Sequence, residues 1–284
     1  MKWEELREEQ FNDAIERSNK LCVLPIGCTE KHGEHLPVGT DTINAEYIAN
    51  EAAKLEPVCV FPAIHYGNVP FLTGWKGSIR LTVELMQQLL TELCAEIARN
   101  GFKKILILNG HGGNPALLAN FVSSTQHTKK DYVVMYRDSY QYNLNCLAAD
   151  LDREPFPELN EDDKRVIRTY VEEKRLTGHA CIEETATTMA IRPELVDMSR
   201  VRAESGLSTH KADYLDKTGI NNGSARFWIV NYPNQYCAYP PDEANDRIGA
   251  ALLRKQIETQ AETCRLLKMD DRILEWNEEW NRSW

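Results

Sequence analysis

Glu30, His32, His35 and Asp41 fall within twelve residues of one glycine-punctuated segment, Pro25-Ile-Gly-Cys-Thr-Glu-Lys-His-Gly-Glu-His-Leu-Pro-Val-Gly-Thr-Asp41, that directly follows an apolar run. A second cluster, Asn109-Gly-His111-Gly-Gly-Asn114, follows another such run. Polar ligands at the carboxyl ends of strands, freed from regular structure by glycine, are how an α/β sheet builds a reactive site. Oxygen and imidazole donors without thiolates suit Zn, Mn or Fe(II) better than a sulfur-bound structural metal. These residues therefore point to metal-assisted hydrolysis.

The spacing says how such a centre would assemble. Glu30 and His32 are two apart, so in an extended segment they point to the same side. Asp41 returns after the turn Leu36-Pro-Val-Gly-Thr40 and can face them. His111 is flanked by Gly110, Gly112 and Gly113, which let the backbone bring the imidazole close to an ion. A carboxylate shared by two ions is a common arrangement in binuclear hydrolases, and Asp41 is the candidate for it. A third cluster is Gly178-His179-Ala-Cys-Ile-Glu183-Glu184-Thr185. A helix beginning near residue 182 would project one acid from its first turn, where the helix dipole favours negative charge. His179 is the candidate for carrying a proton to the leaving group, because imidazole titrates near neutral pH. His35 reads as a structural hydrogen-bonder: His32-x-x-His35 lacks the i, i+4 spacing of a zincin, and His-Gly-Glu-His is not an inverted one. His65, His127 and His210 belong to no constellation.

These residues need a scaffold. The pattern predicts an amphipathic helix over Glu4–Ser18, a buried strand over Leu21–Ile26, a helix over Asn44–Lys54 and a strand over Pro57–Ile64. Val83–Arg99 is a helix closed by Asn100-Gly101, and Lys104–Leu108 a strand buried on both faces. Pro115–Ser124 resumes as helix and Tyr132–Tyr136 as strand. This alternation implies βαβ units and a mostly parallel central sheet flanked by helices, an α/β fold. The acidic, proline-bearing stretch Asp150–Asp163 reads as a surface excursion, Asn221-Asn-Gly-Ser224 as a turn, and Glu243–Met269 as a long charged helix. Trp276, Trp280 and Trp284, four apart, predict a helix packing on its own core or on a neighbouring subunit. The reading is one domain over 1–284, with a helical extension from about 243.

Composition narrows the partners. A net charge of −10 argues against a nucleic acid or an anionic membrane as the main partner. The eight cysteines form no CxxC pair and several sit in apolar runs, which reads as reduced, buried thiols in a cytoplasmic protein. The first residues are too acidic for a signal peptide, and no apolar run approaches 18 residues. No GxSxG elbow or GxxxxGK[ST] loop is present, so neither a serine hydrolase nor a P-loop enzyme is supported.

Residues 25–41 resemble the PxGSTEQHGPHLPxGTD signature of the creatininase (creatinine amidohydrolase) family, agreeing at twelve of seventeen positions. Asn109–Asn114 and His179–Thr185 are similar to that family's second and third motifs, NGHGGN and HAxxxET, in the expected order over residues 21–190. The resemblance implies an α/β sandwich, about two divalent ions per chain (Zn, Mn or Fe), hydrolysis of a small polar cyclic substrate, and a homo-oligomer, specifically a hexamer. It places metal ligands on Glu30, His32, Asp41 and His111. Creatininase itself carries a glutamate ligand two residues after the second-motif histidine, where this chain has Gly113. Glu184 is the nearest replacement, and creatinine is disfavoured as substrate. Lys31 for Gln, Cys181 for Gly and Ala186 for Ser are lesser departures. The outcomes this leaves open are a lactam or formamide C–N bond, a peptide bond in redox-cofactor maturation, C–C cleavage of a carbocyclic diketone from inositol breakdown, and a metal-binding scaffold without catalysis.

Overall fold

In the computed structural model, which describes residues 1–69, 74–219 and 225–283, the two continuous apolar runs become the middle strands of a four-stranded parallel sheet. In chain order the elements are α1 (Phe11–Arg17), β1 (Leu21–Ile26), α2 (Thr40–Leu55), β2 (Cys59–Val60), α3 (Val83–Arg99), β3 (Lys104–Asn109), α4 (Pro115–Ser124) and β4 (Val133–Asp138). A helical second half follows: α5 (Leu144–Asp150), α6 (Glu161–Glu172), α7 (Ile182–Ile191), α8 (Ala225–Asn231), α9 (Asp246–Met269) and α10 (Arg272–Arg282). Across the sheet the order is β2-β1-β3-β4.

Alternation along each strand divides the core into layers. Cys22, Leu24, Ile26, Ile105 and Ile107 face α3 and α4, together with Phe102 and Phe121. Leu21, Val23, Leu106 and Leu108 face Ile48, Ala49 and Ala53 of α2 and Leu253 and Cys264 of α9. A third cluster joins α5, α6, α7 and α9 beyond the sheet. Leu24 is fully buried, so its truncation to Ala would cost about 3 kcal/mol. The register pairs Ile26 with Asn109 and Asn109 with Asp138. The loops that leave β1 and β3 therefore start side by side at one edge of the sheet.

The differences from the sequence reading have local causes. Instead of one helix over 4–18 there are 3₁₀ turns at Trp3–Glu5 and Glu8–Gln10 before α1. Lys2 pairs with Val60 at the sheet edge, and the Gln10 side chain accepts from the Arg7 backbone N–H at 2.9 Å, starting the chain's helical course afresh. The strand over 57–64 shrinks to two residues because Pro62 has no N–H to donate; Phe61 and Ile64 still donate to Val23 and Pro25 on either side of it, each within 2.9 Å. The Asp150–Asp163 stretch is not a plain surface excursion. Leu151, Phe156 and Leu159 are buried in the helical core, and Asn160 and Asp163 form the capping box that starts α6. Trp276 and Trp280 are 61% and 51% exposed on α10, so about half or more of each ring faces outward rather than into the core. Trp284 and the turn at 221–224 lie outside the described residues. No helix among the described residues is long and apolar enough to cross a membrane.

Candidate metal centre

Four segments meet at the carboxyl edge of the sheet. The loop after β1 carries Glu30 and His32, folded back so that the Glu30 N–H donates to the Val38 carbonyl at 2.9 Å. Asp41 lies in the first turn of α2, which begins at Thr40 rather than at Asn44, and the helix N-terminus there favours a carboxylate. Asn109, last residue of β3, clamps the next loop: its side chain donates to the His111 carbonyl at 2.9 Å and accepts from the His111 N–H at 3.0 Å. The fourth is the start of α7 with Glu184. A Cβ on Gly249 would lie 1.9 Å from the Ala186 carbonyl oxygen, so only glycine lets α9 press α7 this closely against the site.

The two oxygens of Asp41 face different imidazoles. Oδ1 lies 3.0 Å from His32 Nε2 and Oδ2 lies 2.8 Å from His111 Nδ1. His111 Nδ1 is also 2.9 Å from Glu30 Oε1, and His32 Nε2 is 3.9 Å from Glu184 Oε2. Two groups result, each with metal-binding spacing and sharing Asp41: Glu30, Asp41 and His111, joined by Cys28, and His32, Asp41 and Glu184. His179 stands beside both, its ring 4.1 Å from that of His32 and its Nδ1 3.8 Å from Glu30 Oε1. His35 stays outside the cluster and hydrogen-bonds the Thr185 hydroxyl at 3.0 Å.

The outer faces of the imidazoles decide what the inner faces can do. His32 Nδ1 meets the Glu30 carbonyl at 3.0 Å, His111 Nε2 the Asn68 carbonyl at 3.2 Å, and His179 Nε2 the Lys31 carbonyl at 2.6 Å. A carbonyl only accepts, so each of these nitrogens carries a hydrogen. The inward nitrogens of His32 and His111 are then free to offer a lone pair, the tautomer that a metal ligand needs. Glu30 Oε1 and Asp41 Oδ2, both buried, converge on the single His111 Nδ1 at 2.9 and 2.8 Å, so at most one hydrogen serves two carboxylate oxygens, an imbalance that a cation would relieve. The donor set fits a divalent metal.

The carboxylates and imidazoles of the cluster shift one another's protonation. Burial alone would lower His32, but the Asp41 carboxylate outweighs it and raises its pKa to about 10. His111 is held well above its ordinary value against burial by Glu30 and Asp41. Burial raises Glu184 to about 7, with His32 opposing the shift. Burial and the neighbouring charge of His32 lower His179 to about 4, leaving it neutral at physiological pH.

The cluster forms the floor of a cleft of about 850 Å³ walled by Asn68, Tyr140, Asn143, Asn145, Thr177 and Trp228 among others. Among the described residues no lysine or arginine lines it. Lys31 turns away, pairing with Glu204 at 2.5 Å and Glu34 at 3.4 Å over the Trp75 ring.

Gly113 has a steric reason. A Cβ there would lie 2.4 Å from His111 Nε2 and 2.5 Å from the Asn68 carbonyl, so this backbone accepts no side chain at that position. Two site residues were not foreseen. Gln235, whose Nε2 donates to Glu30 Oε2 at 2.8 Å, lies 205 residues away in sequence and gives no local signal. Cys28 was readable as a small hydrophobe, although it alternates with Glu30 and His32 along the same segment.

Known proteins share this frame. The family model for creatininase, creatinine amidohydrolase, matches residues 4–264. The mycofactocin precursor peptide peptidase of Mycolicibacterium smegmatis is 30% identical over 117 residues, 39% of this chain and 47% of that one. The 3-dehydro-scyllo-inosose hydrolase of Thermotoga maritima is 33% identical over 93 residues, 32% of this chain and 30% of that one. The chain thus spans less than half the length of either relative. A manganese creatininase superposes with a TM-score of 0.71 at 17% identity, covering 93% of this chain and 97% of its own.

Proposed function

The chain belongs to the creatininase family, and on that premise we propose that it is a metal-dependent hydrolase that opens a small, uncharged, polar ring or formamide at a C–N bond. The observation that carries this reading is the sharing of Asp41 between the two donor groups, one oxygen toward each. Glu30 and His111 would complete one metal position and His32 and Glu184 the other, with Glu184 standing in for the acid that Gly113 cannot supply. Bound divalent ions supply Lewis acidity and a water acidified toward neutral pH.

The chain's own groups do the rest. Asp41 and Glu30 hold compensating negative charge in a buried floor, where electrostatic effects are strong. The His179 Nε2–H is fixed on the Lys31 carbonyl, which aims its Nδ1 lone pair inward, where it can take a proton from the nucleophile and return it to the leaving atom. The absence of lysine and arginine among the described lining residues speaks against a phosphorylated substrate. The amide and hydroxyl groups on the walls suit a substrate rich in hydrogen-bonding groups. They also favour a second reading, C–C cleavage of a carbocyclic diketone of the inosose type by the same centre.

The test is metal content per chain, on protein purified without chelator, beside Asp41→Ala. About two Zn, Mn or Fe ions, lost in the variant, support the reading; no metal after reconstitution sinks it. A screen of lactams, formamides and inositol-derived ketones then separates the two bond types, and an enzyme from a non-catalytic scaffold. The same reading takes the chain as one cytoplasmic domain over 1–284 that assembles with itself, as a hexamer by family resemblance. The outward Trp276 and Trp280 of α10 supply apolar surface for such contacts.

A further inference from the structure

Cys28 is fully buried at the base of the centre, two residues before Glu30 just as Glu30 is two before His32. Its Sγ, a Glu30 carboxylate oxygen, an Asp41 carboxylate oxygen and a His111 ring nitrogen all lie within 4.8 Å of one another. Glu30 Oε1 and Asp41 Oδ2, both buried in that pocket, share the single His111 Nδ1 at 2.9 and 2.8 Å. Four donors of three chemical kinds therefore gather in one buried pocket, where two carboxylate oxygens compete for one imidazole nitrogen.

We propose that Cys28 is a thiolate ligand of the metal position formed by Glu30, Asp41 and His111, which tunes that position toward zinc and away from manganese. The proposal rests on the metal-centre reading above and adds a soft donor to it. On binding, the thiol proton is released to solvent and sulfur donates its freed electron pair to the ion; nothing is oxidised or reduced. A soft sulfur favours zinc and cadmium, whereas manganese prefers oxygen. The other position, of His32, Asp41 and Glu184, contains no sulfur. The two positions therefore differ in hardness within one centre.

The experiment is cobalt(II) substitution of the full chain, read by absorption and by metal analysis, with Cys28→Ser and Cys28→Ala beside it. A thiolate-to-cobalt charge-transfer band in the near ultraviolet, lost in both variants, supports the assignment. Zinc affinity should then fall by about 10-fold or more in Cys28→Ala, with manganese affinity changed less than about 2-fold. Cobalt bound without that band, or a band that survives both variants, overturns the role of Cys28 and leaves the hydrolase reading standing. No cobalt bound by the wild-type chain overturns both. If the variants do not fold, cadmium NMR of the wild-type chain decides: a resonance shifted to the thiolate range supports the ligand, and only oxygen- and nitrogen-type resonances exclude it.

Discussion

Gln235 reaches Glu30 across 205 residues of sequence: its Nε2 donates to Glu30 Oε2 at 2.8 Å, in full burial and from a backbone with φ of +52°. Only a few per cent of non-glycine residues adopt such a φ, so surrounding structure holds this one in place. The bond occupies one oxygen of Glu30 and leaves Oε1 to face His111. Replacing Gln235 with Leu strands a buried carboxylate oxygen, at a cost of about 1–3 kcal/mol. It should also weaken metal binding about 10- to 100-fold, as losses of outer partners do. Chemical denaturation and metal titration of Gln235→Leu read the two effects separately. Unchanged metal affinity would show that Glu30 needs no such support.

Gly113 is where a creatininase-type acid would stand, yet a Cβ there meets His111 Nε2 at 2.4 Å. Gly113→Glu should therefore not restore a creatininase-like ligand set. It should push the His111 ring off the Asn68 carbonyl and lower metal content below the wild-type value. Gly113→Ala should do the same in milder form. A Gly113→Glu chain that keeps full metal and tolerates Glu184→Gln would reverse the assignment of Glu184.

Asp163 ties the start of α6 to the start of α9. Its carboxylate accepts from Arg247 Nε at 2.7 Å and Nη2 at 2.8 Å, and from Asn245 Nδ2 at 3.0 Å. Burial works against its ionisation, but the Arg247 guanidinium and the Asn160 N–H outweigh burial and hold its pKa below the ordinary value. A group depressed in the folded state contributes stability above its unfolded pKa of about 4, and loses it as pH falls through the folded value. Arg247 is half exposed and screened by solvent, so the contribution of the buried Asp163 carboxylate is held to about 1 kcal/mol. Asp163→Asn should be less stable by that amount at pH 7, and the gap should close below about pH 4. Denaturant titrations at several pH values check the convergence; a gap that widens on acidification refutes it.

What the sequence revealed follows from how local each signal is. β1 and β3 were legible because a strand buried on both faces must be apolar throughout, and α3 because Asn100-Gly101 ends its amphipathic run. β2 misled because Pro62 interrupts a run that is otherwise strand-like. The start of α6 was hidden in an acidic stretch whose Asn160-x-x-Asp163 spacing was itself a cap signal. Glu30, His32, Asp41 and His111 could be put on one edge of the sheet because the strands that deliver them were readable. Gln235 could not, since only the folded chain brings it there. Cys28 was passed over for a different reason, because burial makes a thiol look apolar.

His179 is open to two roles that one variant separates. Its Nδ1 lies 3.8 Å from Glu30 Oε1, and Glu30, His32 and His179 together have a spacing that a metal could use. Yet the two proposed metal positions that share Asp41 are complete without it. The Nε2–H held by the Lys31 carbonyl at 2.6 Å orients the ring as a proton carrier is oriented. The Trp228 ring stands nearly perpendicular to it, 5.9 Å away. His179→Gln is therefore expected to keep the wild-type metal content while turnover of a substrate found by the screen falls about 10²- to 10⁴-fold. KM should change little, because the loss belongs to the transition state. If one ion per chain disappears instead, His179 is a ligand, and the proton must travel through Glu184.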